Sequence, residues 1–135
     1  MEDRNGKKTR MEKTRSTIHL EIVGLFAEFP KECLAMAVLA FDFAKADDCY
    51  ICEIQSFKKG YGKELILKLM KYQKKLWLMA NTLAGEKLLD FYRDPMFKFE
   101  EYVVPNSIYG CPAYFFYTRE CDEDKLRGYI DAFYS

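Results

Sequence analysis

A strand–turn–helix–strand pattern over residues 49–80 constrains the fold of this chain more than any other feature. Residues 49–57 read as a strand, and Gly60 and Gly62 separate them from an amphipathic run over residues 64–75. Residues 76–80 form a short apolar segment, which is typical of a strand buried on both faces. Two strands joined by a helix in this order predict a β-α-β crossover, in which the strands run parallel.

The glycine turn of this crossover has the features of an anion site. Gly60 and Gly62 can adopt backbone angles closed to other residues and place no Cβ in the way of a ligand. A helix beginning near Gly62 would expose unpaired N–H groups, which attract a phosphate or diphosphate. Lys58, Lys59 and Lys63 add positive charge. The spacing matches neither the Walker loop nor the three-glycine dinucleotide fingerprint, so a tight turn that binds nothing stays an alternative.

The remaining segments predict one mixed domain over residues 17–135. Residues 1–16 are polar and basic, without hydrophobic periodicity, and are predicted to form a flexible tail. Further strands are predicted over residues 17–29, 33–44, 97–104 and 113–118. Helices are predicted after Thr82 and after Asp122, which are both suitable N-cap residues. The expected class is α+β or α/β, with a mostly antiparallel central sheet, one parallel crossover and helices on both faces.

Composition excludes several function classes. The 21 basic and 21 acidic residues give zero net charge, which argues against a general nucleic-acid binder. The absence of an apolar run of bilayer length argues against a membrane partner, and the charged N-terminus does not resemble a signal peptide. Five scattered cysteines fit a reducing compartment, so a cytoplasmic location is predicted. Cys49 and Cys52 lie on a predicted strand with no matching ligand pair, so no metal site is expected.

Two short motifs, over residues 57–62 and 91–97, resemble those of the GNAT superfamily of acyl-CoA-dependent N-acetyltransferases. Residues 57–62, Phe-Lys-Lys-Gly-Tyr-Gly, match the family's Arg/Gln-x-x-Gly-x-Gly/Ala turn. Residues 91–97, Phe-Tyr-Arg-Asp-Pro-Met-Phe, match its Phe-Tyr-x-x-x-Gly-Phe signature. Phe57 replaces the usual Arg or Gln, and Met96 replaces the glycine. The resemblance implies the GNAT-like fold, with acetyl-CoA as co-substrate and no metal.

The resemblance also implies roles for individual residues. Tyr92 would protonate the departing CoA thiolate, and its alternative is a core aromatic. Glu53 would act as the base that deprotonates the amine, and its alternative is a surface residue of the strand. Acetyl-CoA would be held by eleven residues: Ile54, Gln55, Ser56, Phe57, Lys58, Lys59, Gly60, Tyr61, Gly62, Lys63 and Asn81. The acetyl group would pass directly to a small amine such as a polyamine, or to a protein lysine or N-terminus.

The chain reads as a short version of the family. The two helices that members commonly carry between their first two strands are not predicted here, and the exposed aromatic residues are compatible with a homodimer. The acidic residues Asp47, Asp48, Glu53 and the cluster over residues 120–124 would attract a cationic acceptor. Two alternatives to an enzyme stay open: an inactive relative that still binds CoA, and a small protein-interaction module.

Overall fold

A computed structural model describes residues 8–17, 19–44, 47–80 and 86–135. Within these ranges seven strands form one mixed sheet in the order β1-β2-β3-β4-β5-β7-β6. The strands are β1 (Thr9–Ser16), β2 (Leu20–Glu28), β3 (Lys31–Phe41), β4 (Cys49–Ser56), β5 (Leu76–Ala80), β6 (Glu100–Val104) and β7 (Ala113–Tyr117). The helices are α1 (Tyr61–Tyr72), α2 (Glu86–Tyr92) and α3 (Glu123–Tyr134). The chain divides into two compact units.

The first unit combines Met1–Phe41 with Ile51–Gln73. Strands β1, β2 and β3 pair antiparallel in sequence order, and the short connections between them contain no helix in the described residues. Helix α1 packs against β3 and β2. Three of its apolar side chains, Leu65, Ile66 and Leu69, recur at helical spacing and are fully buried. The expected lack of helices between the first strands is therefore confirmed for the described residues.

The second unit combines Asp42–Tyr50 with Lys74–Ser135. The first two residues of β4 pair in parallel with the start of β5, Cys49 with Leu76 and Tyr50 with Trp77. Strand β5 then pairs antiparallel with β7, and β7 with β6. Trp77, Phe115 and Tyr117 form a core with Leu126 and Ile130 of α3. The predicted mixed sheet with one parallel crossover is therefore confirmed.

The predicted flexible tail over residues 1–16 is wrong for its second half. Residues 9–16 form β1, which pairs with β2 from Thr9 opposite Ala27 to Ser16 opposite Glu21. The strand has little hydrophobic signal because it is an edge strand, and most of its side chains are exposed and polar or charged. Residues 1–7 lie outside the described ranges. The prediction of a single domain over residues 17–135 stays a prediction.

Helix α1 begins at Tyr61, beside the start near Gly62 that the glycine turn predicts. It ends at Tyr72, three residues before the end of the amphipathic run over residues 64–75. Helix α3 follows Asp122 as predicted, and the Asp122 carboxylate accepts a hydrogen bond from the Lys125 N–H at 3.2 Å. This bond satisfies one of the N–H groups that a helix start leaves without an internal partner.

Replacing Asp122 by Ala is expected to lower the free energy of unfolding by about 1 kcal/mol, because the cap bond to Lys125 is lost. Urea unfolding followed by circular dichroism measures the change. Asp124→Ala is the matched control: it removes a first-turn charge but keeps the cap, and should cost only about 0.3–0.5 kcal/mol. Equal losses in the two variants would contradict a specific capping role for Asp122.

Candidate active site

The turn between β4 and α1 is closed by a serine rather than by its own cap residue. Gly60 stands at the N-cap of α1 and has no side chain to offer, and its φ is 91°. The Ser56 hydroxyl takes over this role by accepting a hydrogen bond from the Gly62 N–H at 3.2 Å. The same hydroxyl donates to the Lys58 carbonyl oxygen. Ser56 therefore ties both sides of the turn together.

Glycine suits positions 60 and 62 for two different reasons. Gly60 lies in the left-handed region, which other residues adopt only at a cost in free energy. Gly62 has little free space, because a Cβ there would lie 3.3 Å from the Ser56 Cβ. The predicted geometry of a glycine turn that opens a helix is thus present. In this arrangement the chain can approach Ser56 closely enough for the capping bond to form.

The expected row of unpaired N–H groups is only partly present. Gly62 donates to Ser56, the Tyr61 N–H donates to the Lys58 carbonyl at 3.3 Å, and the Glu64 N–H donates to the Gly60 carbonyl at 3.4 Å. The N–H groups of Lys59 and Gly60 donate to no group of the described residues. An anion would therefore meet two loop N–H groups directly and would compete with Ser56 for the third. The Tyr61 side chain is buried, so only its backbone can take part.

The three lysines of the turn differ in their surroundings. Lys58 forms an ion pair with Glu32 of β3 at 2.8 Å, and this hydrogen bond raises the pKa of the Lys58 ammonium group. Lys59 is exposed and forms no ion pair within the described residues. Lys63 is half-buried in the first turn of α1. Lys59 is thus the cation that an arriving anion could engage without first breaking the Lys58 pair.

The end of β4 places the other predicted binding residues. Cys49 and Ile51 are buried, whereas Cys52 and Glu53 are exposed and Ile54 is half-buried, so the second half of the strand is less covered than the first. Gln55 and Ser56 follow and are exposed.

For Phe57 the structure limits the kind of contact that it could make with a cofactor. The Phe57 N–H donates to the Leu34 carbonyl at 2.9 Å, so it does not offer a backbone donor to a ligand. Its side chain is 49 % exposed, which leaves an apolar contact as its remaining contribution. The predicted base, Glu53, is exposed and forms no ion pair with any described residue.

Tyr92, the predicted proton donor, lies at the last residue of α2 in the second unit. It is 5 % exposed and packs against the rings of Phe91 and Phe116, with centroids 5.1 and 5.4 Å away. Burial raises the pKa of its hydroxyl to about 12. The hydroxyl forms no hydrogen bond with any described residue. A buried polar group without a hydrogen-bond partner is rare and calls for an explanation, of which a catalytic role is one.

Two of the acidic residues expected to attract an acceptor, Asp47 and Asp48, have partners of their own. Asp48 is buried, where its carboxylate accepts hydrogen bonds from the Trp77 indole N–H and, at 3.2 Å, from the Ala44 N–H. Asp47 pairs with Lys75 at 3.7 Å. Both have partners within the fold of the second unit, so their expected role in attracting an acceptor is not supported. Asn81, the last predicted CoA contact, lies outside the described residues.

The described ranges contain neither a cluster of metal ligands nor a helix of membrane-spanning length. No three His, Cys, Asp or Glu side chains converge there as metal ligands would. None of the helices described is long and apolar enough to cross a bilayer. All five cysteines are free; Cys49 is buried and Cys52 exposed, so the two thiols of the Cys-x-x-Cys spacing do not share one environment.

Sequence reasoning missed a buried polar group that borders the turn. It consists of Thr9 in β1 with Glu64 and Lys68 in α1. The four-residue spacing of Glu64 and Lys68 is a recognisable helical pair. Thr9 carried no signal, because it lies in the segment interpreted as a tail.

Replacing Gly60 by Ala is expected to lower the free energy of unfolding by about 1–2 kcal/mol, because alanine would have to adopt a positive φ. Gly128→Ala is the matched control, since Gly128 lies within α3 and a Cβ there meets no atom within 4 Å. That change should stabilise the protein by about 0.5–1 kcal/mol. Changes of the same sign in the two variants, measured by chemical unfolding, would contradict the strained turn.

Comparisons with known proteins support the fold but not a closer relationship. No protein-family model matches the chain, and no curated protein is similar to it in sequence. The crystal structure of Arabidopsis thaliana NAA60 in complex with acetyl-CoA matches with a TM-score of 0.50 and 13% sequence identity. The match covers 79% of this chain and 78% of that chain. Similarity at this identity concerns the backbone, and it shows that the chain has a GNAT-like fold.

Proposed function

We propose that the protein is an acetyl-CoA-dependent N-acetyltransferase that moves an acetyl group to a primary amine. The observation that carries the proposal is the Gly60–Gly62 turn at the start of α1, in a chain with a GNAT-like fold. The similar fold of a protein crystallised with acetyl-CoA supports a diphosphate as the anion of this turn. A fold alone hosts many functions, so the turn is the essential part of the argument.

Acetyl-CoA would contact two parts of the chain, the glycine turn and the end of β4. The N–H groups of Lys59 and Gly60 would meet the diphosphate first, and the Lys59 ammonium group would add a charge-assisted contact. The Gly62 N–H would follow once Ser56 releases it. Backbone groups of β4 over residues 54–56 would bind the pantetheine arm and the thioester oxygen. Asn81 stays a proposed contact of the same arm.

The proposed reaction transfers the acetyl group in one displacement. The amine nitrogen attacks the thioester carbonyl, a C–N bond forms, the C–S bond breaks and CoA leaves as a thiolate. The amine loses a proton, which Glu53 would accept directly or through water. The Tyr92 hydroxyl would give its proton to the thiolate. Because burial raises its pKa to about 12, this hydroxyl carries its proton at physiological pH but is a weaker acid than an ordinary tyrosine.

The amine acceptor and the cellular compartment are proposed only as broad classes. The acceptor would be a small amine such as a polyamine, or a protein lysine or N-terminus, because each provides the nucleophilic nitrogen that the chemistry requires. The five free cysteines support a reducing compartment such as the cytoplasm. A homodimer, and the absence of nucleic-acid and membrane partners, stay predictions from the sequence.

Binding of acetyl-CoA is the first test. We expect acetyl-CoA to raise the melting temperature, because a ligand that binds only the folded state stabilises it by mass action. ATP and NAD at equal concentration should have a much smaller effect. An unchanged melting temperature at millimolar acetyl-CoA would contradict the proposed function and favour a protein-interaction module instead.

A substitution at Lys59 tests whether acetyl-CoA binds at the glycine turn itself. Lys59→Ala is expected to weaken acetyl-CoA binding about fivefold. Two opposite unit charges about 4 Å apart attract each other by ~1 kcal/mol in water, and the loss of that attraction corresponds to this factor. The matched control, Lys71→Ala, removes an equally exposed lysine in the last turn of α1 and should leave the dissociation constant unchanged. Isothermal titration calorimetry at low and high salt measures both, and equal effects would rule out a local contact.

Tyr92→Phe separates catalysis from binding. We expect kcat to fall about 100-fold, the scale of a lost general acid, with little change in the dissociation constant of acetyl-CoA. Tyr72→Phe is the control, since that tyrosine is 72 % exposed. Wild-type kcat should show no loss from Tyr92 ionisation below about pH 11, since the group stays protonated below its pKa. Acetylated products are followed by mass spectrometry on polyamines and on lysine and N-terminal peptides.

An inactive relative would give a different pattern. It would bind acetyl-CoA, acetylate none of these amines, and show no effect of Tyr92→Phe beyond stability. That result would contradict the catalytic part of the proposal while leaving the binding part intact.

A further inference from the structure

A buried polar network joins β1 to the first two turns of α1. Thr9 is 2 % exposed and Lys68 is 8 % exposed. The Thr9 hydroxyl donates to a Glu64 carboxylate oxygen at 3.1 Å and accepts from the Lys68 ammonium group at 2.9 Å. Lys68 also donates to the Thr9 carbonyl at 3.4 Å. The hydroxyl thus stands between a carboxylate and an ammonium group and uses both its donor and its acceptor capacity.

The network borders the glycine turn directly. Glu64 lies in the first turn of α1, and its N–H donates to the carbonyl of Gly60. Lys68 follows one turn later on the same face of the helix. Thr9 itself is held by the pairing of β1 with β2, opposite Ala27. The edge strand therefore contacts the helix at the point where the helix meets the turn.

Stability alone is a weak reason for such a network. Removing charges from water is costly, and well-packed apolar side chains in their place often stabilise a protein at least as well. A polar network differs from apolar packing in its directionality, because each hydrogen bond restricts distance and angle. A directional contact at Glu64 holds the first turn of α1 in one position. The Gly62 N–H lies in that turn, and the N–H groups of Lys59 and Gly60, which are proposed to meet the diphosphate first, directly precede it.

We propose that Thr9 is a positioning residue that holds the start of α1 in the geometry needed to bind the diphosphate of acetyl-CoA. This inference rests on the proposed function. Loss of the hydroxyl removes the bond from Thr9 to Glu64, so the first turn of α1 loses this link to β1, whereas Lys68 can still donate to the Thr9 carbonyl. The donor groups of the turn are then less well ordered before binding. Because ordering them costs free energy, the affinity for acetyl-CoA falls.

Two substitutions at Thr9 separate the hydroxyl from the shape of the side chain. Thr9→Val keeps the branched shape and removes the hydroxyl, whereas Thr9→Ser keeps the hydroxyl. Thr14→Val is the control on the same strand, because the Thr14 hydroxyl donates only to the Ile22 carbonyl of β2, at 3.2 Å. Glu64→Ala is a second way to break the network if Thr9→Val folds poorly.

Hydrogen exchange tests the positioning role without any ligand. In Thr9→Val we expect amide exchange over residues 61–65 to rise about tenfold, with little change in β2 and β3, because local opening is easier once the anchor is lost. Thr9→Ser should restore the slow exchange, and Thr14→Val should not change it. Combining Thr9→Val with Glu64→Ala should add little to either change alone, since both break the same contact.

Two acetyl donors test the link to the diphosphate. For acetyl-CoA, Thr9→Val should raise KM about tenfold with kcat nearly unchanged, as loss of preorganised binding predicts. For S-acetylpantetheine, which lacks the diphosphate, kcat/KM should stay at the wild-type value. Thr9→Ser should behave as wild type with both donors.

The proposal is overturned if exchange over residues 61–65 does not change, or if both donors lose the same factor and Thr9→Ser fails to restore it. Either result would make Thr9 a packing residue only. Failure of the proposed function looks different: wild-type protein would not bind acetyl-CoA at all. In that case the exchange result still decides whether Thr9 holds the turn, and the part of the proposal concerning the diphosphate is wrong.

Discussion

The positive φ of Gly60 is the constraint on which the start of α1 depends. It turns the chain sharply enough for Gly62 to reach back to the hydroxyl of Ser56. The closeness of this approach leaves little room for a side chain at Gly62, because a Cβ there would lie 3.3 Å from the Ser56 Cβ. One left-handed residue thereby determines where β4 ends, where α1 begins and which backbone groups face outward between them. The lysines around the turn add charge, but they do not create this geometry.

The Ser56 cap has two opposite consequences for ligand binding. It orders the turn in advance, which reduces the entropy lost when an anion binds. It also occupies the Gly62 N–H, and a donor that already has a partner contributes less to a new bond. The hydroxyl of Ser56 also donates to the Lys58 carbonyl, so it keeps one hydrogen bond when Gly62 changes partner. Exchange of a single acceptor is a small change for a turn whose backbone is already in place.

The parts that the sequence predicts well are those with a local physical signal. Strand β5 has its predicted bounds because a short apolar run between polar residues can be buried on both faces, and Asp122 caps α3 because its side chain reaches only a neighbouring N–H. Strand β1 was missed because its pairing with β2 uses the backbone, which leaves no trace in side-chain periodicity. The role of Thr9 was missed for a related reason: its partners Glu64 and Lys68 lie 55 and 59 residues away.

The two departures from the GNAT signatures argue less for an inactive protein than the sequence suggests. Phe57 uses its backbone N–H to bond β3, and its exposed ring makes no demand on the core. Met96 occupies a position where a glycine would matter only if the backbone required a positive φ. Among the described residues the positive φ nearby belongs to Lys98, while the Met96 N–H donates to the Asp94 carboxylate at 2.9 Å in an ordinary turn. Because neither substitution disturbs the backbone at its site, the case for catalysis depends on the buried hydroxyl of Tyr92 and not on how closely the motifs match.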